Sequence, residues 1–382
     1  MTRGLDSRII EPGCLFAPCL PCLRIYRNSR QGRSLSAIPL VPVENILRSC
    51  SSSFTAPPPE LFHSELSLCR CVIVDIMRIH LDTDIGGDID DLCALAMVLN
   101  WPGAELTGVT TVSDDRGKRA GYAKYALELA GRDDIPVAAG ADVSLHKYRW
   151  WPGLPDEGAY WPDPIPPAPT PIETALSLLE RSIKHDAVIA AIGPFTNLAL
   201  LEKRSPGILR DAKLYLMGGY VFPPREGFPL WGRDMDYNVQ ADAPSALYVI
   251  ERSNPTLITL SVTVETALRR SYIERLMQAG PLGRILARQA EAFARDEQME
   301  AKYGRTCEGV PDDIINFLHD PLACAIALGW DAGVEISRVP VVSEIKDGWL
   351  EQTIVSHGKP VDVVVKADGV RFNEFWARTI AP

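Results

Sequence analysis

Five aspartates lie within ten residues of this chain, between a short apolar run and a segment with helical periodicity. Carboxylates this close together repel one another, and either a bound cation or strongly raised pKa values must relieve the repulsion. The spacing therefore predicts a metal site. Its members are Asp82, Asp84, Asp88, Asp90 and Asp91.

The flanking sequence predicts how these side chains converge. Residues 77–81 carry apolar side chains at alternate positions, which indicates a strand, and Gly86 and Gly87 permit a tight turn after it. Asp90 is placed to cap a helix whose apolar face continues to Leu99. The aspartates would then lie at the carboxyl end of a strand, where open α/β sheets bind their ligands.

From Met77 onward the chain alternates strand-like and helix-like segments. This alternation predicts an α/β protein with an open, mostly parallel, Rossmann-like sheet, flanked by helices and with its active site at the strand carboxyl ends. We find no internal repeat and no linker, so residues 77–382 are predicted to form one domain. The further predicted strands are 105–112, 136–139, 187–192, 212–217 and 256–262. The predicted helices are 116–130, 171–184 (with a capping box that begins at Thr170 and Pro171 at the first helical position), 242–253, one or two within 271–300, and one within 311–330.

Composition limits the partners of this domain. The formal net charge of −10 argues against a nucleic-acid surface, because phosphate binding requires a basic face. The apolar runs are far shorter than the ~18 residues of a membrane-spanning helix, so we expect no membrane insertion. A small neutral or cationic ligand fits this charge best.

Residues 1–76 differ from the remainder of the chain. They contain eight Arg, no Lys, six acids and six of the nine cysteines. Between Pro12 and Asn45, however, Glu44 is the only acid, while four arginines recur. Such an Arg-rich, acid-poor stretch resembles a mitochondrial transit peptide, while a disordered extension or a misassigned start is the simpler interpretation. The cysteines there lack partners at zinc-ligand spacing. Only three cysteines remain downstream, which suits a reducing compartment, so we expect a cytoplasmic protein, or a mitochondrial one if the leader is real.

Alternative readings of the acidic stretch remain open from the residues alone. Asp82 after an apolar strand could be the nucleophile of a haloacid-dehalogenase-type phosphotransferase, but no convincing Lys or later acidic pair follows Gly193. An EF-hand requires glutamate at the twelfth position of the loop, and Cys93 stands there. The acids could also form only the solvated entrance to a capped helix.

Several motifs occur in order along the chain and together resemble the inosine–uridine preferring nucleoside hydrolase family from about Met77 to the C-terminus. These motifs are Asp-Thr-Asp-Ile-Gly at 82–86 with the aspartate pair at 90–91, Thr-Thr-Val at 110–112, Gly-Pro-Phe-Thr-Asn at 193–197, Met-Gly-Gly at 217–219, and His-Asp-Pro at 319–321. Any one of these motifs would be weak, whereas their common order makes the resemblance specific.

At the matching positions, the resemblance implies a bound calcium ion and a catalytic role for some of its ligands. The implied ligands are the carboxylates of Asp84, Asp91 and Asp320 and the carbonyl oxygen of Ile192, which are the hard oxygen donors that calcium prefers. Asp84 would also act as general base for attack of water on C1′ of a ribose. His319 is the candidate acid beside the leaving base, although it could instead only orient Asp320.

The resemblance also implies the substrate contacts. Asp90 and Asn238 would bind the sugar hydroxyls, and Asp236 and Asp115 occupy further substrate-binding positions. The chain departs from the family pattern here, because Asp236 stands where Glu is common and Asp115, with the aspartate before it, stands where many members have Asn. The acidic turn is also longer than usual, which leaves Asp88 without an assigned role.

The expected function is therefore calcium-dependent hydrolysis of the N-glycosidic bond of ribonucleosides to free base and ribose, in purine and pyrimidine salvage. The alternatives are hydrolysis of a modified nucleoside or another N-riboside, the phosphotransferase above, and a calcium-dependent sugar-binding protein without catalysis. We expect a small-molecule nucleoside as partner and a homodimer or homotetramer as the assembly.

Overall fold

The computed structural model describes residues 76–142 and 157–381. The strands are β1 (Met77–Thr83), β2 (Ala104–Thr111), β3 (Val137–Ala139), β4 (Val188–Ala191), β5 (Leu214–Met217), β6 (Thr256–Ile258), β7 (Leu268–Arg269), β8 (Ile314–Asn316), β9 (Glu335–Lys346), β10 (Trp349–Ile354) and β11 (Lys359–Lys366). The helices are α1 (Asp90–Asn100), α2 (Lys118–Leu129), α3 (Glu157–Tyr160), α4 (Ile172–Lys184), α5 (Thr196–Arg204), α6 (Tyr237–Gln240), α7 (Ala243–Arg252), α8 (Leu260–Thr263), α9 (Ile273–Gln278), α10 (Gly280–Glu297), α11 (His319–Ala327) and α12 (Gly369–Ile380).

The main sheet has the strand order β10-β9-β11-β6-β5-β4-β1-β2-β3. Neighbouring strands from β11 to β3 pair in parallel, and only β9 and β10 are antiparallel additions at one edge. The predicted open, mostly parallel sheet is thereby confirmed. The first strand, β1, lies inside the sheet. From β1 the chain runs outward through β2 to β3 and returns to β4 on the other side of β1. The gap between the ends of β1 and β4 is the topological switch point, where such sheets bind ligands.

Helices cover both faces of this sheet, and β4 illustrates how. Ala190 and Ile192 belong to a cluster of buried apolar side chains that also contains residues of α1, α10 and α11. Their neighbours Ile189 and Ala191 belong to a second cluster with residues of α5 and α7. A strand buried on both faces is apolar without alternation, which is why 187–192 reads as a continuous apolar run.

The predicted strand 256–262 is wrong in its second half, because β6 ends at Ile258 and α8 follows. The backbone N–H groups of Val262 and Thr263 donate to the carbonyl of Thr259 at 3.0 and 3.1 Å. The hydroxyls of Thr259 and Ser261 also bond to each other at 2.9 Å. The β-branched composition favours a strand, but local hydrogen bonds at this strand end produce a short helix instead.

Two predicted helix caps are also wrong. The N-cap of α1 is Ile89, without a side-chain bond, and Asp90 is the first helical residue. The N-cap of α4 is Pro171, and the hydroxyl of Thr170 instead donates to the carbonyl of Ala139 at 3.1 Å. In both places the helix starts one residue away from the predicted position, since the residue in the N-cap conformation is set by the turn before it.

Some predictions fall outside the described residues. The interpretation of 1–76 as an extension or leader falls on residues 1–75. The sequence also predicts a long irregular loop over the sheet at 145–170, and its first part lies within 143–156. In the described part of that loop, α3 forms and Trp161 is buried, with its ring stacked on Tyr122 at 4.7 Å. Across the described ranges, no helix is both long and apolar enough to cross a membrane.

Candidate active site

The acidic stretch forms a turn between β1 and α1, at the switch point of the sheet. Gly86 allows this turn for two reasons. Its φ of +99° lies in the region that side chains rarely adopt, and an added Cβ would lie 2.3 Å from the ring of Tyr122. The turn therefore brings the aspartates back toward the sheet edge, where the segment after β4 runs beside them.

Three buried carboxylates form the centre of the site. Asp90 and Asp91 lie in the first turn of α1, and Asp320 lies in the first turn of α11, which packs against α1. One carboxylate oxygen from each residue lies within 4.8 Å of the others. Asp90 accepts a hydrogen bond from the backbone N–H of Asp320 at 3.1 Å, and Asp91 accepts one from the hydroxyl of Thr83. The helix packing thus holds the carboxylates together despite their charge.

Burial is the main cause that raises the pKa of Asp90, Asp91 and Asp320 well above the usual range. Repulsion from the neighbouring aspartates raises these pKa values further, because each additional negative charge in a desolvated site disfavours ionisation. A cation bound among them would lower these pKa values, because its positive charge stabilises the ionised carboxylates.

Asp84 lies beside this centre. Burial raises the pKa of its carboxyl group, and Arg119, with a guanidinium nitrogen 4.0 Å from Oδ2, opposes that rise. Gly193, just after β4, allows this position, since an added Cβ there would lie 2.8 Å from Oδ1 of Asp84. The glycine of the predicted 193–197 motif therefore makes room for a side chain of the predicted 82–86 motif.

These residues fit a hard divalent cation. Two oxygens that share one calcium ion at 2.3–2.6 Å lie at most about 5 Å apart, and the separations in the three-carboxylate centre satisfy that limit. The carbonyl oxygen of Ile192 accepts a hydrogen bond from Asn238 at 3.1 Å, and a carbonyl oxygen has a second lone pair. Burial raises the pKa of the nearby thiols of Cys93 and Cys324, so they stay protonated and are poor metal ligands.

Asp88, for which the sequence indicates no role, shapes the turn. Its Oδ1 accepts hydrogen bonds from the backbone N–H groups of Ile89 at 2.5 Å and Asp90 at 3.4 Å. The same oxygen accepts one from the side-chain amide of the buried Asn316 at the end of β8. Asp88 thus accepts hydrogen bonds from backbone N–H groups at the start of α1, which is the role predicted for Asp90, and it links the turn to β8.

Asp82 lies beneath the turn and is fully buried. Its Oδ1 accepts hydrogen bonds from Thr110 at 2.5 Å and Asn197 at 2.8 Å, while its buried Oδ2 has no hydrogen-bond partner among the described residues. Burial is the largest cause that raises its pKa to about 7. A carboxylate enclosed in this way cannot reach a phosphoryl group, so the role of phosphotransferase nucleophile does not fit it.

The network around Asp82 joins several strand ends. The amide of Asn197 also donates to the carbonyl of Thr111 at 2.8 Å and accepts from the N–H of Ala141 at 2.9 Å. Thr110 contacts His80, whose ring is buried and whose pKa is lowered to about 3, chiefly by desolvation. Asn197 is therefore a cross-strand tie and does not cap α5.

Asp236 and Asn238 follow β5 and bond mainly to the backbone. Asp236 accepts hydrogen bonds from the N–H groups of Gly219 at 2.6 Å and Val239 at 3.3 Å, and it caps α6. Asn238 donates to the carbonyls of Ile192 at 3.1 Å and Met217 at 3.2 Å. Asn238 thereby connects the ends of β4 and β5 at the border of the acidic site.

His319 begins α11 and contacts an aromatic group formed with Trp231 and Phe317, at ring-centroid distances of 6.1 and 5.5 Å. Desolvation lowers its pKa to about 3. The hydroxyl of Thr263 lies 2.7 Å from Nδ1 of His319 and 3.2 Å from the carbonyl of Leu260, so Thr263 and Nδ1 share a hydrogen bond. His319 can act as an acid at the leaving base only through a proton carried on Nε2.

Comparison with known proteins identifies the fold and the family. A sequence profile described as inosine–uridine preferring nucleoside hydrolase matches residues 79–376. The chain belongs to this family. Pyrimidine-specific ribonucleoside hydrolase RihA of Citrobacter koseri is 29% identical over 252 residues, which are 62% of this chain and 75% of that protein. Uridine nucleosidase 1 of Arabidopsis thaliana is 27% identical over 208 residues, which are 51% of this chain and 59% of that protein.

A solved structure supports the same fold. The purine-preferring ribonucleoside hydrolase from Gardnerella vaginalis superposes with a TM-score of 0.64 at 23% identity, covering 80% of this chain and 98% of that one. As a member of the nucleoside hydrolase family, the protein is an enzyme that hydrolyses N-glycosidic bonds.

The predicted site residues of this nucleoside hydrolase differ in where they lie relative to the three-carboxylate centre. Asp90 shares the three-carboxylate centre with Asp91 and Asp320, whereas the resemblance assigned Asp84 to the ligand set with these two. Asp84 borders the centre and interacts electrostatically with its aspartates. Asp115 faces solvent, with its side chain 85% exposed and Arg116 at 3.8 Å. The individual ligand and substrate roles stay predictions.

Sequence reasoning missed two polar residues of the nucleoside hydrolase site, Arg119 and Asn316. Both are almost completely buried and bond to the acidic turn. An arginine in the first turn of a helix normally reads as a solvent-facing residue. Only the tertiary packing of α2 and β8 against the turn reveals their positions, and no local pattern in the sequence indicates them.

Proposed function

We propose that this nucleoside hydrolase cleaves the N-glycosidic bond of ribonucleosides in a calcium-dependent reaction that yields free base and ribose. The observation that carries the proposal is the convergence of Asp90, Asp91 and Asp320 at the switch point of the sheet. Oxygen donors without a competing soft ligand favour a hard cation such as calcium.

In the proposed arrangement, Asp84, Asp91, Asp320 and the carbonyl of Ile192 would hold the calcium ion, with Asp90 adjacent. When bound, calcium would acidify a water molecule and align the 2′- and 3′-hydroxyls of the ribose. Asp90 is buried and has its Oδ2 engaged by one backbone N–H, which leaves acceptor capacity for a sugar hydroxyl. Asn238 borders the same space through its bond to Ile192.

Asp84 would serve as the general base. In the reaction, the oxygen of water forms a bond to C1′, the bond from C1′ to the base nitrogen breaks with its electron pair moving to the base, and Asp84 accepts the proton from water. Positive charge develops on the ribose ring as the bond breaks. The neighbouring carboxylates would stabilise that charge, because they act across a desolvated site.

His319 would act at the leaving base. Its position against Trp231 and Phe317 supports contact with a planar ring, and Thr263 engages Nδ1, which leaves Nε2 as the nitrogen that would face the base. Donation to the base requires a proton on Nε2. Replacing His319 should therefore impair nucleosides with poor leaving groups more than p-nitrophenyl riboside, whose leaving group needs no proton.

The experiment is a ribonucleoside panel that includes uridine, cytidine, inosine, adenosine and base-modified nucleosides. Purified protein is incubated with each, with calcium or with a chelator, and released reducing sugar is measured. We expect ribose from at least one nucleoside, only when calcium is present. Absence of ribose from the whole panel, together with a calcium-dependent rise in Tm, would instead indicate a calcium-dependent sugar-binding protein without catalysis.

We further propose a homodimer or homotetramer that acts in nucleoside salvage in the cytoplasm. The open edge at β10 and the exposed Ile345 and Ile354 support association, and the free thiols of Cys93, Cys307 and Cys324 support a reducing compartment. Light scattering after size exclusion tests the assembly, and a monomer would contradict it. Mitochondrial import of a reporter fused to residues 1–76 would contradict the cytoplasmic location.

A further inference from the structure

A buried arginine lies directly beside the acidic turn. Arg119, in the first turn of α2, is 1% exposed. Its Nε donates to the carbonyl of Ser113 at 2.8 Å and its Nη1 donates to the carbonyl of Ile85 at 3.0 Å. Its Nη2 lies 4.0 Å from Oδ2 of Asp84. One guanidinium thus contacts the segment after β2, the backbone of the acidic turn, and a predicted cation ligand.

The backbone of Arg119 is fixed as firmly as its side chain. Asp114 accepts hydrogen bonds from the N–H groups of Arg119 at 2.8 Å and Ala120 at 3.0 Å, and also from the hydroxyl of Thr111 at 2.6 Å. Asp114 therefore anchors the start of α2 to the end of β2. The guanidinium extends from this anchored point to the turn, which makes it a rigid connection between the two strand ends.

The geometry of the guanidinium suits this connection. Its planar fork presents N–H donors in fixed directions, so two carbonyls on different segments can be bridged by a single group. Gly87 lies against the same group, because an added Cβ there would be 3.5 Å from Nη1. The positive charge also offsets part of the repulsion among the aspartates, which otherwise opposes their convergence.

We propose that Arg119 is a positioning residue for the cation site, which holds the Asp84 turn in its binding geometry before the cation arrives. The inference rests on the cation site of the proposed function and adds a residue that touches neither substrate nor cation. It acts through the carbonyl of Ile85 and the carboxylate of Asp84. The bridge between two carbonyls, more than the charge alone, is the feature that sets the affinity for calcium.

Two substitutions separate the bridge from the charge. Arg119→Lys keeps the positive charge, but an ammonium group on a flexible stem cannot span both carbonyls. Arg119→Met removes bridge and charge while retaining an unbranched side chain. Arg204→Lys is the matched control. Arg204 also bridges two segments, since it bonds from α5 to Leu176 and Glu180 of α4, but it lies outside the acidic site.

The experiment is calcium titration by calorimetry into the full, chelator-stripped chain, with Tm measured in chelator and in calcium. We expect Arg119→Lys and Arg119→Met to weaken calcium binding by about tenfold or more, the range seen when residues that support metal ligands are replaced. Arg204→Lys should bind calcium as the wild type does. At saturating calcium, kcat of Arg119→Lys should recover to near the wild-type value, which loss of folded protein would not permit.

The outcomes that would overturn the inference are specific. Wild-type affinity in Arg119→Lys would show that charge alone is needed, and tighter binding in Arg119→Met would show that the arginine only opposes the cation. If Arg119→Met does not fold, Arg119→Lys carries the test. Failure of the wild type to bind calcium would overturn the proposed cofactor as well, whereas unchanged binding by the Arg119 variants overturns this inference alone.

Discussion

The acidic turn after β1 and the segment that follows β5 both lie at strand ends, yet they satisfy their polar groups differently. Beside the turn, Asp90 and Asp91 of α1 and Asp320 of α11 lie close together, and burial and mutual repulsion raise their pKa values. After β5, Asp236 and Asn238 are engaged by backbone groups. In the second region burial alone raises the pKa of Asp236, to about 6, and the N–H groups of Gly219 and Val239 oppose that rise, so repulsion between carboxylates distinguishes the first region. Metal dependence should therefore be confined to the turn.

The largest expected effect comes from Asp84→Ala. Removing the proposed general base and ligand should lower kcat/KM for the best nucleoside by a factor of about a thousand, within the range for loss of a positioned base. The calcium-dependent rise in Tm should be lost as well. Asp134→Ala is the control, because Asp134 is exposed and pairs with Arg132 at the surface. Activity retained in Asp84→Ala would contradict the assignment.

The next effect concerns His80, which lies beneath the turn and bonds to Ser182 at 2.9 Å and Thr110 at 3.0 Å. Its pKa is lowered to about 3 in the folded chain, against an ordinary value of 6.5. The folded state therefore favours the neutral ring. The contribution of His80 to the free energy of unfolding is fully present above pH 6.5 and is lost as pH falls from 6.5 toward 3. Protonation of this single group should lower the free energy of unfolding by about 1.4 kcal/mol per pH unit in that window.

Urea unfolding of wild type and His80→Gln in chelator from pH 7 to pH 4 checks this contribution. Raised carboxyl pKa values in the turn act in the opposite direction, and both proteins share them. The difference between the two proteins therefore isolates His80. Parallel pH profiles would mean that His80 does not remain neutral on folding.

A smaller effect is expected from Asp236→Ala, which tests the region after β5. Loss of the α6 cap and of the bond to Gly219 should lower the free energy of unfolding by about 1–2 kcal/mol, with or without calcium. Calcium affinity should not change. A large fall in calcium affinity in this variant would place Asp236 in the cation site and remove the contrast between the regions.

The smallest effect has the opposite sign. Asp90→Asn removes one negative charge from the crowded centre and keeps an acceptor for the N–H of Asp320. In chelator, the free energy of unfolding should therefore rise by about 1 kcal/mol, because groups kept for function are often destabilising. Calcium should stabilise the variant less than the wild type. Destabilisation in chelator would mean that the aspartates do not repel one another in the folded chain.

The same contrast explains what could be read from the sequence. Strand β1, the glycine turn and the aspartate run are local features, and the sequence predicts them because alternation, turn residues and charge spacing occur within fifteen residues. The role of Asp88 depends on Asn316, and the position of Asp84 depends on Arg119 and Gly193. These contacts join segments that are distant in the chain, so no local pattern records them.

The departures in the region after β5 and at Asp115 have a similar origin. Asp236 caps a four-residue helix that no periodicity could indicate. Asp114 and Asp115 are adjacent in sequence, yet one is buried and holds α2 while the other faces solvent. The backbone at the end of β2 decides which of the two side chains turns inward. Because both residues are aspartates, residue type cannot indicate which one it is.

The most direct test of the central claim is the anomalous difference map of a crystal grown in calcium. The account predicts a peak within about 2.3–2.6 Å of carboxylate oxygens of Asp91 and Asp320, with Asp84 and the carbonyl of Ile192 completing the ligand set. Absence of a peak at the acidic turn, in a crystal whose enzyme releases ribose, would contradict the assignment of this site as the calcium centre of the hydrolase.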